Sequence, residues 1–243
     1  MKPDIIGLRG EGIVVSRRSS NQSLPFTLKI NELDLKPGSR IALMGPNGCG
    51  KTTALSLLSL ALAPNRFDHF SLIGSDQSEH PFPKNHKAEQ IRRHNMGVIQ
   101  QASTVLPFLK VRERLLLRLK LAEVRNRKER IAYALSVFDL EHLADRHPEQ
   151  LSQGQRQRVN LAITCAMSPR FLIADEPTAS MDTDWTELTF KHLSTLSQKT
   201  NACVVIATHN PILAAKYDFR SISFHCNEHE TGIVSEVSIV SGL

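Results

Sequence analysis

The sequence has 243 residues and four cysteines, Cys49, Cys165, Cys203 and Cys226, none of them in a C-x-x-C pair. Without that spacing neither a zinc knuckle nor a dithiol redox motif is suggested, and free thiols fit a reducing compartment. No charge-free apolar stretch reaches the ~20 residues that a bilayer-spanning helix needs. The best run, Leu55 to Ala63, is short and contains Ser56 and Ser59. Met1-Lys2-Pro3-Asp4 opens without the apolar region of a signal peptide. Internal repeats, low-complexity tracts and sustained heptads are also missing. What is left is a soluble globular protein, long enough for one large domain or two small ones, which would reach a membrane only through a partner.

Charge is present but unevenly placed. Lysine plus arginine exceed aspartate plus glutamate by 30 − 24 = +6. Between Leu106 and Arg130 nine basic residues stand against three glutamates, so this short stretch carries a surplus equal to that of the whole chain. Such a face could meet nucleic acid or anionic headgroups, or be an ordinary solvated helix face.

Apolar patterning predicts alternating strands and helices. Ile13 to Val15, Thr27 to Leu35 and Ser39 to Met44 read as strands, the last running into a glycine-rich loop followed by a helix over Thr53 to Leu62. A short helix over Lys87 to His94 and a strand over Met96 to Ile99 follow. Val111 to Val124, Arg127 to Leu143 and Gly154 to Met167 read as helices; Ile131, Leu135 and Phe138 fall at i, i+4 and i+7. Phe171 to Ala174 and Cys203 to Ala207 read as buried strands. They flank a helix over Asp184 to Lys199 with Trp185, Leu188 and Leu196 expected to face inward. Ser221 to Phe224 and Ile233 to Val240 read as a closing pair of strands. The alternation predicts an α/β domain with a mainly parallel sheet.

Gly45-Pro46-Asn47-Gly48-Cys49-Gly50-Lys51-Thr52-Thr53 fits the phosphate-loop pattern G-x-x-x-x-G-K-[ST] at every fixed position, between a strand and a helix as the motif requires. Backbone amides of such a loop approach a triphosphate closely, and the following helix adds the positive end of its dipole. Lys51 supplies a full charge, and the Thr52 hydroxyl can ligate Mg²⁺. Cys49 inside the loop makes inhibition by thiol reagents an expectation. Phe171 to Asp175 ends an apolar strand in an acid, which places Asp175 at the carboxyl edge of the sheet to hold Mg²⁺. Glu176 next to it is suited to polarise an attacking water as general base. Ser152 and Gly154 begin a helix whose free amides also favour an anion.

Together these residues resemble the ATP-binding cassette ATPases, the motor subunits of ABC transporters, over about residues 12 to 225. The resemblance implies a single P-loop NTPase domain over 1–243, with an antiparallel β subdomain and a helical subdomain inserted at 102–153. Leu151-Ser152-Gln153-Gly154-Gln155 then resembles the family's signature motif, with Gln153 replacing the commoner glycine. Gln101 resembles the glutamine that touches Mg²⁺ and the attacking water, Ser180-Met181-Asp182 the D-loop, and His209 the switch histidine that senses the γ-phosphate. The family's adenine-stacking aromatic has no counterpart around Ser16-Arg17-Arg18. Arg17, Arg18 or Phe26 could take its place, and GTP could be used nearly as well as ATP.

The resemblance further implies two cassettes paired head to tail, ATP on one loop being capped by the signature of the other, as a homodimer or with a related cassette. It implies ATP and Mg²⁺ as ligands. It also implies a separate membrane-spanning subunit on the cytoplasmic face, docked near the apolar segment Thr104 to Leu109. The segment from Leu172 to Thr178 resembles the group serving lipoprotein release, macrolide export and cell-division complexes. The alternative is a cassette ATPase acting on nucleic acid, ribosomes or a soluble scaffold. The coiled coils, zinc modules or second cassette of those classes are not in this sequence, and no specific nucleic acid is expected.

Overall fold

The computed structural model describes residues 4–17, 25–100, 106–229 and 232–241. Two sheets are stacked. The parallel one has the order β6 (Met96–Ile99), β7 (Phe171–Asp175), β8 (Cys203–Ala207), β3 (Arg40–Met44), β9 (Arg220–Ser223). The other has the order β10 (His225–His229), β11 (Gly232–Val240), β2 (Phe26–Leu35), β1 (Ile5–Arg17), β4 (His69–Gly74), β5 (Glu79–Pro81). Within it every pair is antiparallel except β11 with β2.

The central strands β7 and β8 are buried at every residue because both of their faces are covered, whereas the edge strand β9 is mostly exposed. Side chains alternate between two cores. Ile41, Leu43, Phe171, Ile173, Cys203, Val205 and Ala207 point toward the second sheet and α1 (Lys51–Leu58). Ala42, Leu172, Ala174, Val204 and Ile206 point into the helical layer. That layer contains α3 (Val111–Leu121), α4 (Arg127–Val137), α5 (Gln153–Ala166) and α6 (Thr183–Thr200); α3, α4 and α5 pack on one another. The chain is thus an α/β P-loop NTPase fold with a mixed second sheet.

Several expectations are corrected. α1 stops at Leu58, because Leu60 takes a left-handed φ of 57°. The helix expected over Arg127 to Leu143 breaks at Val137 and resumes as a 3-10 turn at Glu141–Leu143. On α6 the buried face is Thr189, Phe190, Leu193, Ser194 and Ser197. Leu188 is 37 % exposed, and Trp185 lies under the Arg158 guanidinium at 4.2 Å. The buried serines are tolerated because their hydroxyls are satisfied: Ser197 Oγ donates to the carbonyls of Ala202 and Gly38, and Ser194 Oγ accepts from Arg40. β9 and β11 are not a pair. β9 lies beside β3 in the parallel sheet, and β11 sits between β10 and β2 in the other. The basic stretch is only partly a solvated face. Arg114 donates to Asn160, Arg118 to the carbonyls of Arg93 and Met96, and Arg130 to Ala166 O and Ser168.

Candidate functional site

The carboxyl ends of β3, β7 and β8 meet at one cleft of about 950 Å³. β3 delivers the loop Gly45–Gly50, β7 delivers Asp175 and Glu176, and β8 leads through Thr208 to His209. Register brings them level: Leu43 and Asp175 both pair with Ala207 of the strand between them.

The loop turns tightly into α1. Gly50, the residue before the helix, has φ 98°, a left-handed conformation that side chains rarely adopt. A Cβ there would also stand 2.7 Å from the Phe26 ring, so the second sheet packs directly on the loop. Gly50 has no side chain with which to cap α1, and among the described residues its first amides have no side-chain acceptor. Lys51 folds back over the loop, its ammonium donating to the carbonyls of Gly45 at 2.6 Å and Pro46 at 3.0 Å. Thr52 Oγ1 donates to Asp175 Oδ2 at 2.6 Å. Asn47, Gly48, Gly50, Lys51, Thr52 and Thr53 line the cleft with Asp175, Glu176 and His209.

Glu176 has a left-handed φ of 46°. Its Oε1 lies 3.3 Å from His209 Nε2. That is ion-pair range, but Oε1 is buried and makes no hydrogen bond among the described residues. Burial pushes the Glu176 carboxyl up from its ordinary value of 4.5; His209 and Lys51 oppose the rise and Asp175 adds to it. His209 itself is the exposed partner, at 57 % of its side-chain surface against 16 % for Glu176.

Cys49 is packed inside the loop and does not stand open to the cleft. It is buried, and its Sγ fills the space beside Gly45, 2.7 Å from where a Cβ would stand there. Burial raises its thiol above the ordinary 9.0, with Lys51 opposing, so the reactive thiolate is disfavoured. Its carbonyl accepts from Ser235 Oγ of β11 at 2.6 Å.

The segment Leu151–Gln155 lines no part of this cleft. Ser152 caps α5: its Oγ accepts from the Gln155 amide, and the Gln155 side chain accepts from the Ser152 amide. Leu151 is buried, while Gln153 is exposed. Of Ser180-Met181-Asp182, Asp182 caps α6 by accepting from the Trp185 amide, and Met181 Sδ accepts from Thr189. Gln101 lies outside the described residues. Gln100 precedes it and lines a smaller cavity with Thr52 and Asp175. Phe26 and Arg17 both border the main cleft.

A family model described as ABC transporter matches residues 28–179. The chain belongs to the ABC transporter ATPase family. Among its relatives is the lipoprotein-releasing system ATP-binding protein LolD of Granulibacter bethesdensis, 35 % identical over 213 residues, or 87 % of this chain and 91 % of that one. The LolD protein of Paramagnetospirillum magneticum is 34 % identical over 193 residues, covering 79 % and 84 %. The ATP-binding cassette MJ0796, solved as a dimer in a post-hydrolysis state with ADP and Pi, superposes with a TM-score of 0.77. It is 26 % identical, with 89 % of this chain and 93 % of that one covered.

As a member of the ABC transporter family the chain is an ATPase. Sequence reasoning missed Gln157, Ser235 and Ile233 near its cleft. Ile233 lines the cleft from β11, and Ser235 reaches the loop from the same strand. Only the register of that strand against β2 brings them there, and no local pattern announces it.

Proposed function

We propose that this ATPase binds and hydrolyses ATP between two copies of itself, or itself and a related cassette, and drives a separate membrane-spanning subunit. One observation carries the reading. The α5 N-terminus opens on Ser152 and Gly154 with no charge before Arg156, as suits an anion cap, yet it stands outside the chain's own cleft. It is therefore free to serve the nucleotide of another molecule. The dimeric cassette relative and the LolD relatives support pairing and a membrane partner.

In this reading Lys51 and the amides of the loop hold the triphosphate tail, and Arg17 stacks its guanidinium plane on the base. The residues also fit Mg²⁺: Thr52 and Asp175 present oxygens 2.6 Å apart at the cleft, the hard donors this ion prefers. Bound there, the ion would neutralise phosphate charge; Gln101 is proposed to complete the set. Glu176 acts as general base. Its raised pKa suits a carboxylate that must take a proton, and the His209 ring 3.3 Å from its Oε1 holds it in place. Ser180, Met181 and Asp182 carry the link between the two sites. Leu106 and Phe108, 37 % and 69 % exposed, offer an apolar contact to the membrane subunit on the cytoplasmic face.

Two variants test this together. Glu176→Gln should bind ATP, lose turnover by about 10²–10⁴-fold and accumulate a dimer visible by size-exclusion chromatography. Ser152→Arg should keep ATP affinity and lose turnover. A Glu176→Gln chain that stays monomeric with ATP and Mg²⁺, or normal turnover by Ser152→Arg, defeats the reading.

A further inference from the structure

The helix that begins at Ser152 and the loop that carries Glu176 are fastened together by one side chain. Gln157 Nε2 donates to the Glu176 carbonyl at 3.0 Å, and Gln157 Oε1 accepts from the Ser180 amide at 3.1 Å. One partner can only accept and the other can only donate, so both ends of the amide are determined. The Glu176 carbonyl also accepts from Ala179 at 3.2 Å, closing the turn that the glutamine spans. Nearer the helix start, a Cβ on Gly154 would stand 2.9 Å from the Ser180 carbonyl. The first turns of α5 thus lie directly against backbone at Ser180. Glu176 itself is in the left-handed region, a conformation its surroundings must hold.

We propose that Gln157 is a positioning residue: it aims the Glu176 carboxylate and couples that aim to the pose of the α5 N-terminus. A small rotation of α5 would carry the amide with it and pull on the Glu176 carbonyl and Ser180 amide together. The coupling between two nucleotides rests on the head-to-tail reading above; the aiming of Glu176 does not. In the paired molecule α5 caps one nucleotide while Glu176 of the same chain serves the other. Gln157 then transmits the occupancy of one site to the chemistry of its neighbour.

The test uses Gln157→Met, which keeps length and loses both hydrogen bonds, and Gln157→Glu, whose carboxylate can accept from Ser180 but not donate to Glu176. Gln157→Met should lower kcat about tenfold, the cost of a misaimed group, with ATP affinity held within about twofold. Its Hill coefficient for ATP should fall from about two toward one. Gln157→Glu should fall between it and the wild type. Unchanged kcat and Hill coefficient in Gln157→Met overturn the proposal. So does a kcat loss matched by equal losses of ATP affinity and melting temperature, which marks a packing defect. Failure of the dimer reading is separate: the Glu176→Gln chain would then show no ATP-dependent pairing, while Gln157→Met would still lower kcat at fixed affinity.

Discussion

Two helices of this chain begin at positions suited to phosphate, and they begin differently. α1 follows a glycine in the left-handed region and has no side-chain cap, while α5 follows Ser152, whose hydroxyl already takes the Gln155 amide. Around α1 stand Lys51, Asp175 and Glu176, all largely withdrawn from water. Between Leu151 and Gln155 there is no charge at all. The first helix start is built to hold a polyanion by itself, with open amides and a full positive charge. The second has one amide taken by Ser152 and offers a dipole among uncharged residues, so it can close over an anion that something else has already fixed.

The sharpest way to break this contrast is at Lys51. Lys51→Ala should weaken binding of a fluorescent ATP analogue by roughly 100-fold, about 2.7 kcal/mol. Undiminished affinity would mean that the loop amides suffice and that the two helix starts differ less than their charges imply. A smaller effect is expected at the other start. Ser152→Ala removes a cap and should cost about 1 kcal/mol of stability in chemical denaturation, with ATP affinity unchanged. A loss of affinity in the isolated chain would place α5 at its own cleft.

The smallest effect separates the two by pH. A carboxyl whose folded pKa is raised contributes stability that is fully present below its unfolded pKa and lost as pH rises through the folded one. Glu176 is such a group, because burial outweighs the pull of His209 and Lys51. At neutral pH Glu176→Gln should therefore melt about 2 °C higher than the wild type, the gap closing as pH falls through the carboxylate range. Ser152→Ala should show no such pH dependence. A Glu176→Gln chain that melts lower at neutral pH would show that the contact with His209 outweighs burial.

How far the molecule could be read from its sequence depends on what each residue packs against. Met96–Ile99 and Cys203–Ala207 were legible to the residue, since both are plain apolar runs, the second covered on both faces. The phosphate loop was legible because its chemistry is local. α6 and the inward Leu196 were legible, but the rest of its buried face was not, because it uses Ser194 and Ser197, whose hydroxyls reach Arg40, Gly38 and Ala202. Trp185 spends its apolar ring on Arg158 instead of the core. The last strands were misassigned because alternation reveals a half-covered strand but not which sheet receives it. Cys49 looked exposed by its position in the loop, and packing against Gly45 buries it. Gln157 could not be singled out at all: its two partners lie 19 and 23 residues away.

The bond from Ser235 to the Cys49 carbonyl has a consequence for how the chain matures. β11 comes late in the sequence yet lies inside its sheet, between β10 and β2. A ribosome will have made the glycine loop, its lysine and both acids long before the strand that braces them emerges. Until that strand docks, the loop has no donor for its carbonyl and no Ile233 wall. A nascent chain in which β11 has not yet docked should therefore hold nucleotide more weakly than one in which it has.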